Sequence, residues 1–243
     1  MHLKANRLKV HVGVSGFSYP GWRGKFYPEE AKSDELLSLY SDRLGSVEIN
    51  SSFYAPPKAE VVAGWARRTG VDFKFSFKAP KTITHVMKLG EGSANAALQF
   101  AKRLESLGPR EGPILFQLPP FSQVNHRLLE GFLSATKGIK ERVFEFRHES
   151  WLVGDTYDLL DKYGAGFCVA ETEDMKPVVK ATGGLAYFRL RLNSYDAGVV
   201  DSWAPRVKKV MQDAREGYVY LRHDETGENA ILAERLGKRL SGK

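Results

Sequence analysis

Sulfur chemistry is nearly absent from this chain of 243 residues, which holds one cysteine, Cys168. A single thiol excludes an intramolecular disulfide framework and a zinc site built on cysteines. It lies in an apolar run, residues 166–170, where it reads as a small buried hydrophobe. Long hydrophobic runs are also missing. No stretch approaches the ~18 apolar residues that a spanning helix needs, so no membrane partner is expected. Residues 1–7 are basic but lack an apolar core, so they do not read as a signal peptide, and a cytoplasmic location is expected. No Gly-x-Gly-x-x-Gly or P-loop follows an apolar run, which weakens dinucleotide and nucleotide triphosphate sites. There is no linker, internal repeat or low-complexity segment.

What is present is ordinary for a globular protein: 42% hydrophobic and 27% charged residues. The balance is basic, 36 Lys+Arg against 29 Asp+Glu, a net charge of +7. Such a charge suits an acidic partner such as nucleic acid or a phosphorylated substrate, and equally a solvated surface. Short apolar runs alternate with amphipathic segments. Strands are predicted over 10–14, 46–50, 72–77, 113–118, 142–147, 166–170, 185–190 and 218–222. Helices are predicted over 34–44 with Ser33 as N-cap, and over 59–68, 94–107, 126–136, 156–163, 204–215 and 229–240. Residues 171–184 have weak helical periodicity and read mostly as loop. Eight strand–helix alternations at this length predict an α/β fold, a closed parallel (β/α)8 TIM-type barrel with a degenerate sixth helix, in one domain over 1–243. An open doubly wound sheet is the alternative.

Strands buried on both faces usually read as continuous apolar runs. These strands instead alternate, with Phe73, Phe75 and Phe77 opposing Lys74, Ser76 and Lys78. The same split sets Val47 and Ile49 against Glu48 and Asn50, and Phe144 and Phe146 against Glu145 and Arg147. Phe188 and Leu190 oppose Tyr187, Arg189 and Arg191, while His11, Gly13 and Ser15 share a face, as do Tyr220 and Arg222. Gln117 and Glu171 stand at the ends of the fourth and sixth strands. The apolar face should meet the helices and the polar face the lumen. Polar residues fall late in their strands, where a barrel carries its active site. Buried charge is costly unless paired. The set is therefore either a ligand site or a self-neutralising network of Glu48 and Glu145 against Lys78, Arg147 and Arg189. Aromatic and polar loops follow: Trp22 after the first strand, Tyr54 after the second, His148 and Trp151 after the fifth, His223 after the eighth. These suit stacking on a ring or sugar face.

The segments 13–22 (GVSGFSYPGW), 47–54 (VEINSSFY), 78–85 (KAPKTITH), 115–121 (LFQLPPF) and 145–151 (EFRHESW) together resemble the YecE-like family, a bacterial and archaeal domain of unknown function. The resemblance spans nearly the whole chain. It implies a TIM-type barrel, no established reaction, and a pocket at Glu48, Asn50, Gln117, Glu145, Arg147, His148 and Arg189. The C-terminal part departs from the family pattern. A His-Gly usual after the seventh-strand arginine is replaced by Arg191-Leu192-Asn193, and a Phe-Asn-Asn stretch by Leu221-Arg222-His223-Asp224. Both changes make this pocket more basic.

Three functions follow as candidates. The first is an enzyme, a hydrolase or isomerase, on a small anionic or sugar-phosphate ligand. Glu48, Glu145 and His148 would then supply acid–base chemistry, and Arg147 and Arg189 would grip the anion. Ser15, Trp22, Asn50, Tyr54, Lys78, Gln117, Trp151, Arg222 and His223 would bind beside them. The second is a metal-dependent nuclease or isomerase using ligands from Glu48, His85, Glu145, His148, Glu171, His223 and Asp224. Neighbouring cations oppose a metal there, so no metal and no cofactor are expected. The third is a nucleic-acid binder without catalysis, for which no RRM, KH or helix-turn-helix signature is present. The oligomeric state is left open.

Overall fold

The computed structural model describes residues 9–242; the basic residues 1–7 lie outside the described part. Eight parallel strands close into a barrel in chain order: β1 (Val10–Ser15), β2 (Ser46–Ile49), β3 (Lys74–Lys78), β4 (Glu111–Gln117), β5 (Arg142–Glu145), β6 (Gly166–Glu171), β7 (Leu185–Leu190) and β8 (Glu216–Leu221). Closure runs from Val10 opposite Gly217 to Val14 opposite Leu221. The open sheet is thereby excluded. Gly13 faces the lumen where β1 and β2 approach closely, and a Cβ there would lie 1.8 Å from the Ser46 carbonyl oxygen.

The period-two alternation has the expected consequence. Phe75, Phe77, Phe116, Phe144, Phe188, Val14 and Val47 point outward into one large core shared with the helices. Burying each such side chain contributes about 1.5–3 kcal/mol. The lumen holds a second, separate cluster: Leu115, Val143, Cys168, Leu185, Tyr187, Tyr218 and Tyr220. Its middle is thus apolar and phenolic, and Cys168 is buried in it. Charge is confined to the two ends.

The helices are α1 (Leu36–Ser41), α2 (Ala59–Arg67), α3 (Ser93–Lys102), α4 (His126–Ala135), α5 (Gly154–Lys162), α6 (Ala197–Val210) and α7 (Glu228–Ser241). Three departures from the sequence reading have physical causes. α1 is shorter, and Ser33 does not cap it; the Ser33 hydroxyl accepts from Arg23 instead. α3 ends at Lys102, and a 3-10 turn carries the chain to Gly108, whose φ of 57° makes the corner before β4. α6 begins seven residues before the expected Ala204, because the Asp196 side chain caps it by accepting from the Val199 amide at 2.8 Å. Pro205 therefore lies inside the helix instead of opening it. Between β6 and β7 there is no helix, as the weak periodicity indicated, and the freed segment lies over the barrel mouth. No helix among the described residues is long and apolar enough to cross a membrane.

Candidate functional site

Side chains that end their strands facing inward converge at the C-terminal mouth. Glu48 comes from β2, Glu145 from β5, Arg189 from β7, and Arg191 from one residue beyond β7. Arg189 stands between the two carboxylates: Nε and Nη2 donate to Glu48 at 2.8 and 3.0 Å, and Nη1 donates to Glu145 Oε2. Arg191 also donates to Glu48, and Arg147 Nε to Glu145. The Tyr187 hydroxyl and Ser15 hydroxyl donate to Glu48 at 2.9 and 3.0 Å, and the Gln117 amide to Glu145 at 2.7 Å. Every oxygen of both carboxylates accepts from at least one donor.

Both carboxyls are fully buried. Burial alone would raise their pKa, and the guanidiniums overcome it. Glu48, faced by Arg189 and Arg191, is held well below the usual carboxylate range. Glu145, faced by Arg189 and Arg147, falls to about 2. Arg189 is pushed up in turn by Glu145 and Glu48 against the effect of its own burial. A general base works best with a pKa near the operating pH, and neither glutamate meets that condition. They hold the arginines in place.

Above this brace lies a cavity of about 360 Å³. Five cations line it: Lys78, Arg147, Arg189, Arg191 and Arg222; the facing loop adds the exposed carboxylates Glu173 and Asp174. Asn50 and Gln117 supply amide groups. The two terminal nitrogens of Arg147 make no hydrogen bond among the described residues. Arg191 Nε and His223 Nδ1 are buried without a partner. His223 is stacked on Tyr19, with centroids 4.7 Å apart and planes 8° off parallel. Burial, then Arg191 and Arg222, lowers its pKa, which favours the neutral ring. The Lys78 ammonium lies 4.0 Å from the centre of the Phe53 ring. Burial and the Arg189 charge lower its pKa to about 8.

The structure thus brings together Ser15, Glu48, Asn50, Lys78, Gln117, Glu145, Arg147, Arg189, Arg222 and His223. It sets four expected residues elsewhere. Trp22 is buried, and its indole N–H donates to the Asp224 carbonyl at 2.7 Å, tying the β1 loop to the β8 loop. Trp151 is buried against Phe146, centroids 4.5 Å apart, and donates to the Ser122 carbonyl at 2.7 Å. Tyr54 is 76% exposed and packs edge-on against Phe53 outside the cavity. His148 turns away, its Nδ1 engaged by the Ser150 hydroxyl and amide at 2.8 and 3.2 Å. Glu171 points outward, accepting from Tyr195 and Trp203 at 2.8 and 3.1 Å. Asp224 caps α7 by accepting from the amides of Glu228 and Asn229 at 3.0 Å. Among the described residues no three His, Cys, Asp or Glu side chains gather as a metal site. Arg191 is the residue the sequence reading left off its ligand set, although its parity with Arg189 already placed it on the same face. The residues 172–174 that close over the cavity carried no such signal.

An eight-stranded parallel barrel with a charged chamber at the C-terminal ends of its strands defines a TIM-type barrel protein. The chain belongs to the family described as protein of unknown function DUF72, whose model matches residues 11–243. Among curated proteins it is 32% identical to the UPF0759 protein YecE of Escherichia coli K12 over 140 residues, 57% of this chain and 48% of that one. It is 26% identical to the UPF0759 protein YunF of Bacillus subtilis over 164 residues, 61% and 54% of the two chains. Each match therefore covers only about half the relative's length. A DUF72 family protein of Thermotoga maritima has a crystal structure that superposes with a TM-score of 0.80 at 27% identity, covering 96% of this chain and 99% of that one. One from Enterococcus faecalis, 17% identical with a TM-score of 0.76 over 97% and 98% of the two chains, shares the fold.

Proposed function

We propose that the mouth of the barrel binds a small anion bearing a phosphate or carboxylate group. The observation that carries this reading is the division of labour among the charges. Glu48 and Glu145 are consumed by Arg189 and by one arm each of Arg191 and Arg147. What remains lining the cavity is donor capacity, the terminal nitrogens of Arg147, Lys78 and Arg222, with the enclosed Arg191 Nε beside them lacking a partner. A buried donor without an acceptor costs about 1–3 kcal/mol, and an anion would supply the acceptors. Planar guanidinium groups suit two-pronged recognition of such oxygens. The brace beneath holds these groups in position before the ligand arrives, which lowers the ordering cost of binding. The exposed Glu173 and Asp174 at the rim lie in solvent, where screening weakens their repulsion.

The test is chemical denaturation with and without phosphate or citrate. At a ligand concentration of ten times Kd, binding to the folded state adds about 1.4 kcal/mol of stability. Wild type should gain stability, and Arg147→Ala should gain little or none. If neither anion stabilises the wild-type chain at millimolar concentration, the reading fails.

A further inference from the structure

Among the described residues two cations of the chamber pair with no carboxylate, Arg222, which donates to the Asn193 amide oxygen, and Lys78, the chamber's one amine. Among the described residues the ion pairs of lysine involve Lys9, Lys25, Lys162 and Lys238, and Lys78 is in none of them. Its amine lies over the Phe53 face and lines the same cavity as Arg147 and Arg191. Its backbone is fixed at the strand end, since the Ser52 hydroxyl donates to its carbonyl at 2.7 Å. We propose that Lys78 is a nucleophilic amine that forms a Schiff base with the carbonyl carbon of a small anion seated by the arginines of the mouth. This rests on the anion-binding reading above and names the class of ligand more closely: a compound carrying both an anionic group and an aldehyde or ketone.

The step balances without a co-reactant. The neutral Nζ lone pair forms the C–N bond, and the carbonyl π electrons move to oxygen, giving a carbinolamine after proton transfer. The hydroxyl then leaves as water, with a proton taken from solvent at the open mouth, and the nitrogen lone pair closes the iminium. The product carries the same single positive charge as the lysine ammonium it replaces. The cost of the first step is losing that proton, and the surroundings favour its loss. Burial and Arg189, with Arg191 behind it, oppose the charged form, while Glu145 and Glu48 support it. His85, from the loop after β3, has its own pKa lowered by burial and by Lys78. The Phe53 face favours the ammonium, yet the balance leaves the amine far easier to deprotonate than an exposed lysine near pKa 10.4. Lysines desolvated beside other cations are activated as nucleophiles in this way.

The test is reductive trapping of the intact protein. Wild type is incubated at pH 7.5 with pyruvate or, in a second arm, dihydroxyacetone phosphate, and treated with sodium cyanoborohydride. Lysine adducts are located by peptide mass spectrometry. Lys78 is expected to be modified at least about tenfold faster than exposed lysines such as Lys81, from the greater free-amine fraction at that pH. The adduct should vanish in Lys78→Arg, persist in Lys81→Arg, and be suppressed by excess phosphate. The arm that reacts faster distinguishes an oxo-carboxylate from a phosphorylated carbonyl. Modification of Lys78 no faster than of exposed lysines in either arm, measured on wild type alone, overturns the proposal whether or not Lys78→Arg folds. If phosphate stabilises the fold and Lys78 is not trapped, the Schiff base is wrong and the anion site stands. If Lys78 is trapped selectively and phosphate does not slow it, the nucleophile stands and the anion site is wrong.

Discussion

The two ends of the lumen carry similar residues to different effect. At the N-terminal base, Glu216 accepts from His11 at 2.9 Å and from Lys9 at 2.8 Å, while Glu141 accepts from Tyr218 and Arg215 at 3.2 and 3.3 Å. The cations there are wet, with side chains of Lys9 and Arg215 58% and 53% exposed. Carboxylates are buried at both ends, but at the mouth the cations are enclosed as well. The carboxylates are fully enclosed, and two of the three arginines bound to them are buried with them, Arg189 to 5% and Arg191 to 11%, while Arg147 is 29% exposed. Water dilutes each pair at the base, whereas at the mouth each pair must be complete. The apolar and tyrosine plug between keeps the two sets apart. Charge at the base closes an end; charge at the mouth builds a chamber with donors left over.

The sharpest way to break this comparison is Arg189→Ala. It leaves two buried carboxylates short of their shared partner, and removing one member of a buried pair costs roughly 3–5 kcal/mol. Chemical denaturation should find a loss in that range. A loss below about 1 kcal/mol would mean that the mouth, like the base, is solvated.

Acid offers a second probe with a definite sign. Glu145 is held at about 2 against an ordinary 4.5, and Glu48 is held lower still. A carboxyl depressed in the folded state contributes its full stability above the unfolded value and loses it as pH falls from about 4.5 towards 2. In Glu145→Gln the loss of stability between pH 5 and pH 2 should shrink by roughly 2 kcal/mol. Glu216, lowered to about 2 by His11 and Lys9 against its own burial, is enclosed, but its Lys9 partner stands in solvent. Screening there discounts its contribution, so Glu216→Gln should flatten the profile less. Equal flattening in the two variants would erase the distinction between the ends.

Much of this architecture was legible because strand periodicity is a physical constraint. Phe75 and Phe77 must leave the lumen if Ser76 and Lys78 enter it, and all eight strands obey the rule. Parity would also have placed Glu171 outside, opposite Cys168, since three residues separate them. Residue type alone was a poorer guide. Trp22 and Trp151 read as stacking platforms, but each indole N–H needs an acceptor, and Trp22 finds its acceptor 202 residues away. No local pattern announces such a strap. His148 did carry a local signal, a serine two residues on that engages its ring. The helix after β7 starts at Ala197 rather than at the expected 204, because Asp196 caps it.

A third, smaller effect separates brace from binding group within the mouth itself. Arg147→Ala leaves Glu145 with Arg189 and Gln117, so its cost should be nearer about 1.5–3 kcal/mol, the range of a single bond to a charged group. It should nonetheless abolish the stabilisation by phosphate. A loss as large as that of Arg189→Ala, with no anion effect in either protein, would make the mouth a brace throughout.

The smallest effect belongs to the base. Arg215 meets Glu141 at 3.3 Å and donates to the Gly183 carbonyl at 2.7 Å, with half its side chain in water. Exposed pairs contribute up to about 1 kcal/mol. When Arg215 is lost, the buried Glu141 keeps the Tyr218 hydroxyl, and water replaces the half-exposed guanidinium beside it. Arg215→Ala should therefore cost no more than about 1 kcal/mol at low salt and still less at 1 M salt, where the Debye length shrinks to about 3 Å. Stabilisation by phosphate should match wild type, because the plug separates Arg215 from the chamber. The measurement is the same denaturation series at two salt concentrations, with and without phosphate. If Arg215→Ala costs several kcal/mol, or if it weakens the response to phosphate as Arg147→Ala does, the base is part of the same charged system as the mouth. The lumen would then have to be treated as one network.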